Sequence, residues 1–353
     1  MSICSEIRDL FETFMAKIKL IDVANLAGVS KSTVSQYLNG RFEYMSEKTK
    51  ERIRLAVDKL SYVPNPIARS LKLDETKTIG VIVRDITGFD TSRTIRGIDD
   101  YCKTSNYNVL IYNTDVDPEI EARSLEALYQ SRVDGILIAA TGENTALINK
   151  YIANGLPIVN FQLEHEGNEK SIIISDYRKA AFEATEYLIK QGHRRICFVT
   201  QDFTKVKSRK DRYLGYIDAL MHYQLPVDQQ LIQYWQRDAG FARSPLTVLN
   251  ESNPPTAFFT QHMPITTELL SALNKAKVTI PDDVSLLGFD DIPMAEFFNV
   301  PITVITQNPY QIGREATKLL LNNIKNPGLS PQRIMLPCSL MERLSCKRIL
   351  PNL

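Results

Sequence analysis

The chain has 353 residues, 44% of them hydrophobic and 24% charged, which is length for two or three domains and composition for a sizeable buried core. A single small module, a low-complexity chain and a disordered chain are thereby excluded. The longest apolar runs, such as Ile79 to Val83 and Ile172 to Ile174, fall far below the ~20 residues of a membrane span.

Near the N-terminus, Glu6, Arg8, Asp9 and Glu12 interrupt Leu10, Phe11 and Phe14, so the uncharged run of a signal peptide is missing. A cytoplasmic protein without membrane contact is expected. Cys4, Cys102, Cys197, Cys338 and Cys346 are odd in number and scattered, with no CxxC pair. They predict reduced packing residues, with neither a disulfide framework nor a zinc site.

The net charge of +1 conceals an asymmetry. Between residues 17 and 73 eleven Lys/Arg face five Asp/Glu, a surplus of six, and the remainder is correspondingly acidic. A basic segment at one end of an acidic protein suits a polyanionic partner, although a solvated basic helix face has the same charge.

The helical punctuation of this segment is more specific. Leu20, Val23, Ala24 and Ala27 form a stripe that Gly28 ends; Ser30 then caps a second helix with Val34 and Leu38 inward. Ser46 and Glu47 open a third helix with the stripe Ile53, Val57 and Leu60. This pattern is a helix-turn-helix over residues 17–63. Lys31, Ser32 and Gln36 on the second helix can reach base edges, and Ser30, Thr33, Ser35 and Asn39 can meet phosphates of double-stranded DNA. In Tyr62 to Leu71, Asn65 caps and Pro66 opens a helix of about one and a half turns, too short to be stable alone.

From Thr78 onward β-rich runs alternate with helical stretches: Ile79 to Val83, Val109 to Tyr112, Gly135 to Ala139, Pro157 to Phe161, Ile172 to Ile174, Ile196 to Thr200, Thr256 to Thr260 and Val284 to Phe289. Parallel α/β sheets are expected, two by length, with a ligand cleft outside the carboxyl ends of the strands.

Asp22-Val23-Ala24, Ala27-Gly28-Val29-Ser30, Thr33-Val34-Ser35, Leu38-Asn39, Tyr62-Val63-Pro64-Asn65 and Ala68-Arg69-Ser70-Leu71 resemble the lactose-repressor (LacI/GalR) family of bacterial transcription regulators. The resemblance continues through Ile79-Gly80-Val81, Asp134-Gly135-Ile136, Gly192 to Ile196, Arg212 to Tyr216 and Gly288-Phe289-Asp290-Asp291. It makes Met15 look like the family's usual start and residues 1–16 an N-terminal extension. The architecture it implies is an all-α helix-turn-helix headpiece joined by a hinge (64–76) to an α/β periplasmic-binding-protein-like core of two parallel-sheet lobes. That core spans 77–343, with the chain crossing between lobes near 176 and 306 and a tail from 344 to 353. The implied function is that of a homodimeric repressor of carbohydrate catabolism on a pseudo-palindromic operator, where Leu71 is a minor-groove wedge and a small effector occupies the core.

For the effector site the resemblance points to Arg212 and to Phe89, the aromatic at the opening. Trp235, the only tryptophan, is either core or a stacking platform for a sugar ring. Of Asp290 and Asp291, only Asp290 is assigned to the cleft, because adjacent strand residues point oppositely. His193 with Cys197 lacks further metal ligands and reads as a helix-end histidine. Lys205, Lys207, Arg209 and Lys210 read as solvated surface.

Gln162 and Gln261 stand where many members carry Asp or Asn, His262 follows Gln261, and Arg84 stands where proline is common. Fewer acids to bind neutral sugars and more cations to fork onto a carboxylate imply a sugar acid, as in the repressors of 2-keto-3-deoxygluconate catabolism. No cofactor is expected. The competing readings are a corepressor-dependent regulator, a cytoplasmic sugar-binding or sugar-modifying α/β protein and a transport receptor. The enzyme reading lacks a phosphate loop, nucleophile elbow or metal cluster in the sequence, and the receptor reading lacks an export signal.

Overall fold

The computed structural model describes residues 18–63, 75–165 and 170–349, and the chain divides into two compact units, one ending at Thr76 and the other starting at Lys77. The predicted hinge helix and Leu71 lie outside the described residues, as does the N-terminal extension.

In the first unit, α1 (Leu20–Ala27), α2 (Lys31–Leu38) and α3 (Glu47–Lys59) enclose six buried side chains: Val23, Ala24, Ala27, Val34, Ile53 and Ala56. Val57 and Leu60 of the predicted stripe pack at its edge. Gly28 ends α1 in the left-handed conformation, at φ 61°, where a Cβ would be strained. Arg52 of α3 donates to the carbonyls of Ala27 and Gly28, so the turn between the two helices is fastened by the third.

The second unit starts as an alternating α/β chain: β1 (Thr78–Val83), α4 (Phe89–Thr104), β2 (Asn108–Asn113), α5 (Pro118–Gln130), β3 (Gly135–Ile138), α6 (Thr145–Ala153), β4 (Ile158–Phe161) and β5 (Ile172–Ser175). It then crosses near Asp176 into a second lobe: α7 (Tyr177–Lys190), β6 (Ile196–Thr200), α8 (Lys207–His222), β7 (Ile232–Gln236), β8 (Gly240–Phe241), α9 (Pro245–Leu249), β9 (Ala257–Thr260), α10 (Met263–Lys275), β10 (Ser285–Phe289) and β11 (Thr303–Thr306). It returns after Thr306 to give the first lobe α11 (Pro309–Lys325) and β12 (Arg333–Leu336), and crosses once more to add β13 (Ser339–Met341) to the second.

The first sheet runs β12-β5-β4-β3-β1-β2 and is parallel throughout. The second runs β13-β11-β10-β9-β6-β7-β8 and is parallel except at its two edges. Inner strands such as β3, β4, β6 and β10 are buried at every residue, as expected of sheets covered by helices on both faces. On the first lobe, α4 and α11 approach until a Cβ on Gly97 would meet the Tyr310 carbonyl and one on Gly313 the Thr94 carbonyl. Glycine is what permits that backbone separation.

Three sequence expectations need correction. The strands β7, β8, β11, β12 and β13 were not foreseen; β7, β8, β12 and β13 are partly exposed and mix polar with apolar residues, and β11 offers only Val304 and Ile305 between two threonines, so they lack the continuous apolar run that marks an inner strand. The chain crosses between lobes three times and not twice. Residues 344–349 are not a tail, since Ser345 is fully buried, its carbonyl accepts from Leu286 N (2.9 Å), and Ile349 N donates to Gln191 O (2.7 Å).

Candidate functional site

Two surfaces carry the predicted residues. On α2, the Ser30 hydroxyl caps the helix by accepting from Thr33 N (3.1 Å), and it lies 2.6 Å from Ser32 Oγ and 2.8 Å from Thr33 Oγ1. At the other end Asn39 Nδ2 donates to the Ser35 carbonyl (2.7 Å). Lys31, Ser32, Gln36 and Asn39 are exposed and Thr33 and Ser35 half-buried, while Val34 points fully inward. The helix therefore presents a polar face whose first turn is fixed by its own cap, with the longer Lys31 and Gln36 side chains projecting beyond it. Such a face matches the demands of groove reading.

The second surface is a cavity of about 570 Å³ between the two lobes. Its lining comes from the carboxyl ends of strands: Arg84 and Asp85 after β1, Gln162 after β4, Arg237 after β7, Gln261 and His262 after β9, Asp290 and Asp291 after β10, and Gln307 after β11. The first turns of α4 and α7 add Phe89, Asp90 and Tyr177, and the first two turns of α8 add Arg209 and Arg212. This is where open α/β folds place ligands.

Arg212 is 6% exposed, with its guanidinium carbon 3.8 Å from the Tyr177 ring centre and 4.4 Å from that of Phe289. Two aromatic faces hold the cation in place of a carboxylate. The helix that carries it is anchored across the lobes, because buried Glu164 takes a fork from Arg333 (2.9 Å on each oxygen) and a bond from Lys207 Nζ (3.1 Å). Ser208 Oγ also accepts from Glu164 N (2.7 Å).

Asp290 accepts from Gln307 Nε2 (2.6 Å), and Gln307 Oε1 accepts from Ser175 Oγ (2.8 Å) and Tyr177 OH (3.1 Å). Two of the crossing segments thus meet at the acid. Gln261 Oε1 is taken by Thr200 Oγ1 (2.8 Å) and Gln201 N (2.9 Å), and Gln162 Nε2 reaches Thr94 Oγ1 (3.2 Å).

The charges are not evenly spread. Burial, then neighbouring Asp290, pushes the Asp90 carboxyl up to about 7, and burial raises Asp290 as well. Burial lowers Arg84, and it lowers Arg209 to about 10 with help from Arg84 and Arg212. His262 is held neutral, down to about 3, by burial and then by Arg212, Arg209, Arg237 and Arg84. Six aspartates, Asp85, Asp90, Asp115, Asp238, Asp290 and Asp291, line the cavity, yet among the described residues no group of three or more His, Cys, Asp or Glu is placed to hold a metal.

Of the seven residues expected around an effector, Arg84, Phe89, Gln162, Arg212, Gln261 and Asp290 line the cavity together. Trp235 does not. It is buried in the second lobe, donates Nε1 to Glu268 (2.6 Å) and stands edge-on behind His262. Asp291, expected to face away, does line the cavity: Asp290 has φ 70°, so the alternation of a strand has ended before it. Asp291 also pairs with Arg343 (2.8 Å).

Arg209, expected at the surface, lies in the wall beside Arg212. Asp90, Tyr177, Arg237, His262 and Gln307 were not singled out as site residues. Asp90 and Tyr177 each open a helix just after a strand, which is the one local signal that could have found them. His193 is buried away from the cavity with Nδ1 2.9 Å from Thr256 Oγ1 and is held neutral, at about 4, by burial. Cys102, Cys197, Cys338 and Cys346 are free thiols. No helix among the described residues is long and apolar enough to cross a membrane.

Comparison with known proteins agrees with both units. Residues 19–65 match the model of bacterial regulatory proteins, lacI family, and residues 185–346 that of a periplasmic binding protein-like domain. The chain is 35% identical to the "Probable HTH-type transcriptional regulator EndR" of Paenibacillus polymyxa, over 86% of this chain and 89% of that one. It is 32% identical to the ribose operon repressor of Escherichia coli (strain K12), over 93% and 99%. The lac repressor dimer bound to operator and the anti-inducer ONPF superposes with TM-score 0.80 at 23% identity, over 94% of this chain and 99% of that one, and so shares the fold.

Proposed function

Because the chain belongs to the lacI family of bacterial regulatory proteins and is a DNA-binding transcription regulator, we propose that it represses carbohydrate-catabolism genes and leaves its operator when a sugar acid fills the cavity. The class we favour is that of 2-keto-3-deoxygluconate. The observation that carries this reading is the set of cavity arginines: Arg84, Arg209 and Arg212 make no ion pair among the described residues. Cations held in a wholly or partly desolvated wall without a direct carboxylate partner are costly, and a ligand carboxylate relieves that cost with charge-assisted bonds. Arg212 and Arg84 supply the carboxylate side, and Asp290 and Gln261 the hydroxyl side.

The protein acts as a homodimer on a pseudo-palindromic operator, since one recognition helix spans only a few base pairs. Lys31, Ser32 and Gln36 reach base edges, while Ser30, Thr33, Ser35 and Asn39 meet phosphates. Closure of the lobes on the ligand is passed through the hinge at 64–76, where Leu71 serves as the minor-groove wedge, and the paired headpieces lose their register.

The test is operator anisotropy with the full-length protein and a panel of 2-keto-3-deoxygluconate, glucuronate, galacturonate, glucose and ribose. Release by an acid at concentrations where the neutral sugars do nothing is expected. Tighter operator binding in the presence of the ligand, or equal release by glucose or ribose, overturns the reading.

A further inference from the structure

The polar face of α2 does not end where the helix does. Gly40 takes the left-handed conformation at φ 71° and closes α2 in a Schellman motif, with Gly40 N donating to the Tyr37 carbonyl (3.0 Å) and Arg41 N to the Gln36 carbonyl (3.0 Å). The chain leaving the helix is thereby tied to Gln36. A turn from Phe42 to Met45 follows, closed by Met45 N on the Phe42 carbonyl (3.0 Å).

Both ends of this turn are held by the headpiece. Phe42 stands edge-on to Tyr37 with ring centres 5.8 Å apart and lies under Lys50 Nζ at 4.9 Å, while Met45 packs on the small core. The tip, Glu43 and Tyr44, is exposed, and Tyr44 is 99% exposed. An exposed aromatic on its own means little. This one is carried outward by a turn braced at both ends, and the exposed Arg41 and Lys48 that flank it in the chain form no ion pair among the described residues.

Reach is sufficient. The Cα of Tyr44 lies at most about 11 Å from that of Arg41, and the major groove is about 12 Å wide. A helix seated in that groove brings the loop at its C-terminus against the phosphates along the groove edge.

We propose that Tyr44 is a further DNA contact, its hydroxyl donating to a phosphate oxygen at the flank of each half-site, beyond the bases that α2 meets. The inference rests on the reading of α2 as the groove-facing helix and adds an anchor of a different kind. A phosphate contact fixes position without reading sequence. A neutral phenol, unlike a lysine, displaces no counterion, so its share of the affinity is insensitive to salt. Glu43 at the same tip is repelled by the phosphates, which leaves the attraction there to the phenol.

Fluorescence anisotropy of the full-length protein, on an operator selected from a random library and on an unrelated duplex, tests this. Tyr44→Phe keeps the ring and, at so exposed a position, leaves folding alone. It should weaken binding to both duplexes by the same factor, about tenfold, with the slope of log affinity against log salt unchanged. Replacing each operator phosphate in turn with a neutral methylphosphonate should find a position in each half-site where the wild type loses affinity and Tyr44→Phe loses none further.

Tyr44→Phe binding both duplexes within about twofold of the wild type overturns the proposal, as does a loss confined to the operator, which is the mark of a base contact. A different result removes the underlying reading: if Lys31→Gln and Gln36→Ala also leave operator affinity unchanged, α2 is not the helix that enters the groove.

Discussion

The polar face of α2 and the wall of the cavity differ in how far apart their residues lie in the chain. Seven polar residues of the first fall between Ser30 and Asn39; the second is gathered from strand ends between Val83 and Gln307. Among the described residues, the first unit also has one small core of six buried side chains, whereas the second has four clusters, two on each lobe. A lesion in the headpiece should therefore be global, and a lesion in the cavity local. DNA binding depends on whether a small module folds, while ligand binding depends on the placement of single groups in a scaffold that survives their loss.

The sharpest way to break this comparison is Val34→Asp. Val34 is fully buried, and an unpaired carboxylate there costs several kcal/mol, about the whole stability a core of this size supplies. Operator affinity should fall more than about 100-fold, with ligand affinity unchanged by calorimetry. Parallel loss of ligand binding would show that the two units do not fail separately.

Arg212→Ala should act in the opposite place. Removing the cation from between Tyr177 and Phe289 should weaken ligand binding by about 2 kcal/mol or more, leaving operator affinity without ligand intact. Operator anisotropy reads both: a variant that still binds DNA but no longer responds is expected, and an unaltered response would remove Arg212 from the site.

Asp90→Asn sharpens the comparison through pH. With its carboxyl raised to about 7, the folded protein retains a proton that the unfolded chain releases near pH 4, so this group's contribution to stability declines as pH rises from about 4 through 7. The asparagine variant loses that dependence. It should gain on the wild type between pH 5.5 and 8 by on the order of 1 to 2 kcal/mol, measured by denaturant midpoints; a constant difference across that range would mean Asp90 titrates normally.

The smallest effect is expected from Gln36→Arg, which leaves folding alone because Gln36 is exposed. Glutamine suits the N6/N7 edge of adenine and arginine the O6/N7 edge of guanine, a difference of about 1 to 3 kcal/mol at one position of each half-site. Selection from a random operator library should show that single change. An identical selected sequence would mean that Gln36 does not read bases.

Much of the molecule could be read before folding was considered. The end of α1 at Gly28, the caps at Ser30 and Ser46 and the inward Val34 follow from residues within one or two turns of each other. The inner strands followed from apolar runs buried on both faces. Arg209 could not be read this way, because it stands three residues before Arg212 on α8, nearly one turn, and only the neighbouring lobe decides whether that face meets solvent or a cavity. Asp291 was misplaced because the left-handed φ at Asp290 is not written in a strand-like sequence. Trp235 was ambiguous since an indole fits a core and a stacking platform equally well until Glu268 is seen to take its N–H.

The sequence by itself determined the helix-turn-helix, the alternation of strands and helices and the presence of an arginine before Leu214-Gly215-Tyr216, since each depends on contacts a few residues apart. Only the tertiary structure decided that β12 returns to the first sheet, that Ser345 packs on Leu286, and that Arg84, Arg209, Arg237, Asp90 and Asp290, from five separate stretches of chain, line one cavity. Those arrangements depend on strand order and lobe crossings, which bring together residues up to about two hundred positions apart. Local propensity carries no term for such distances, and the burial that shifts these charges exists only once the lobes have met.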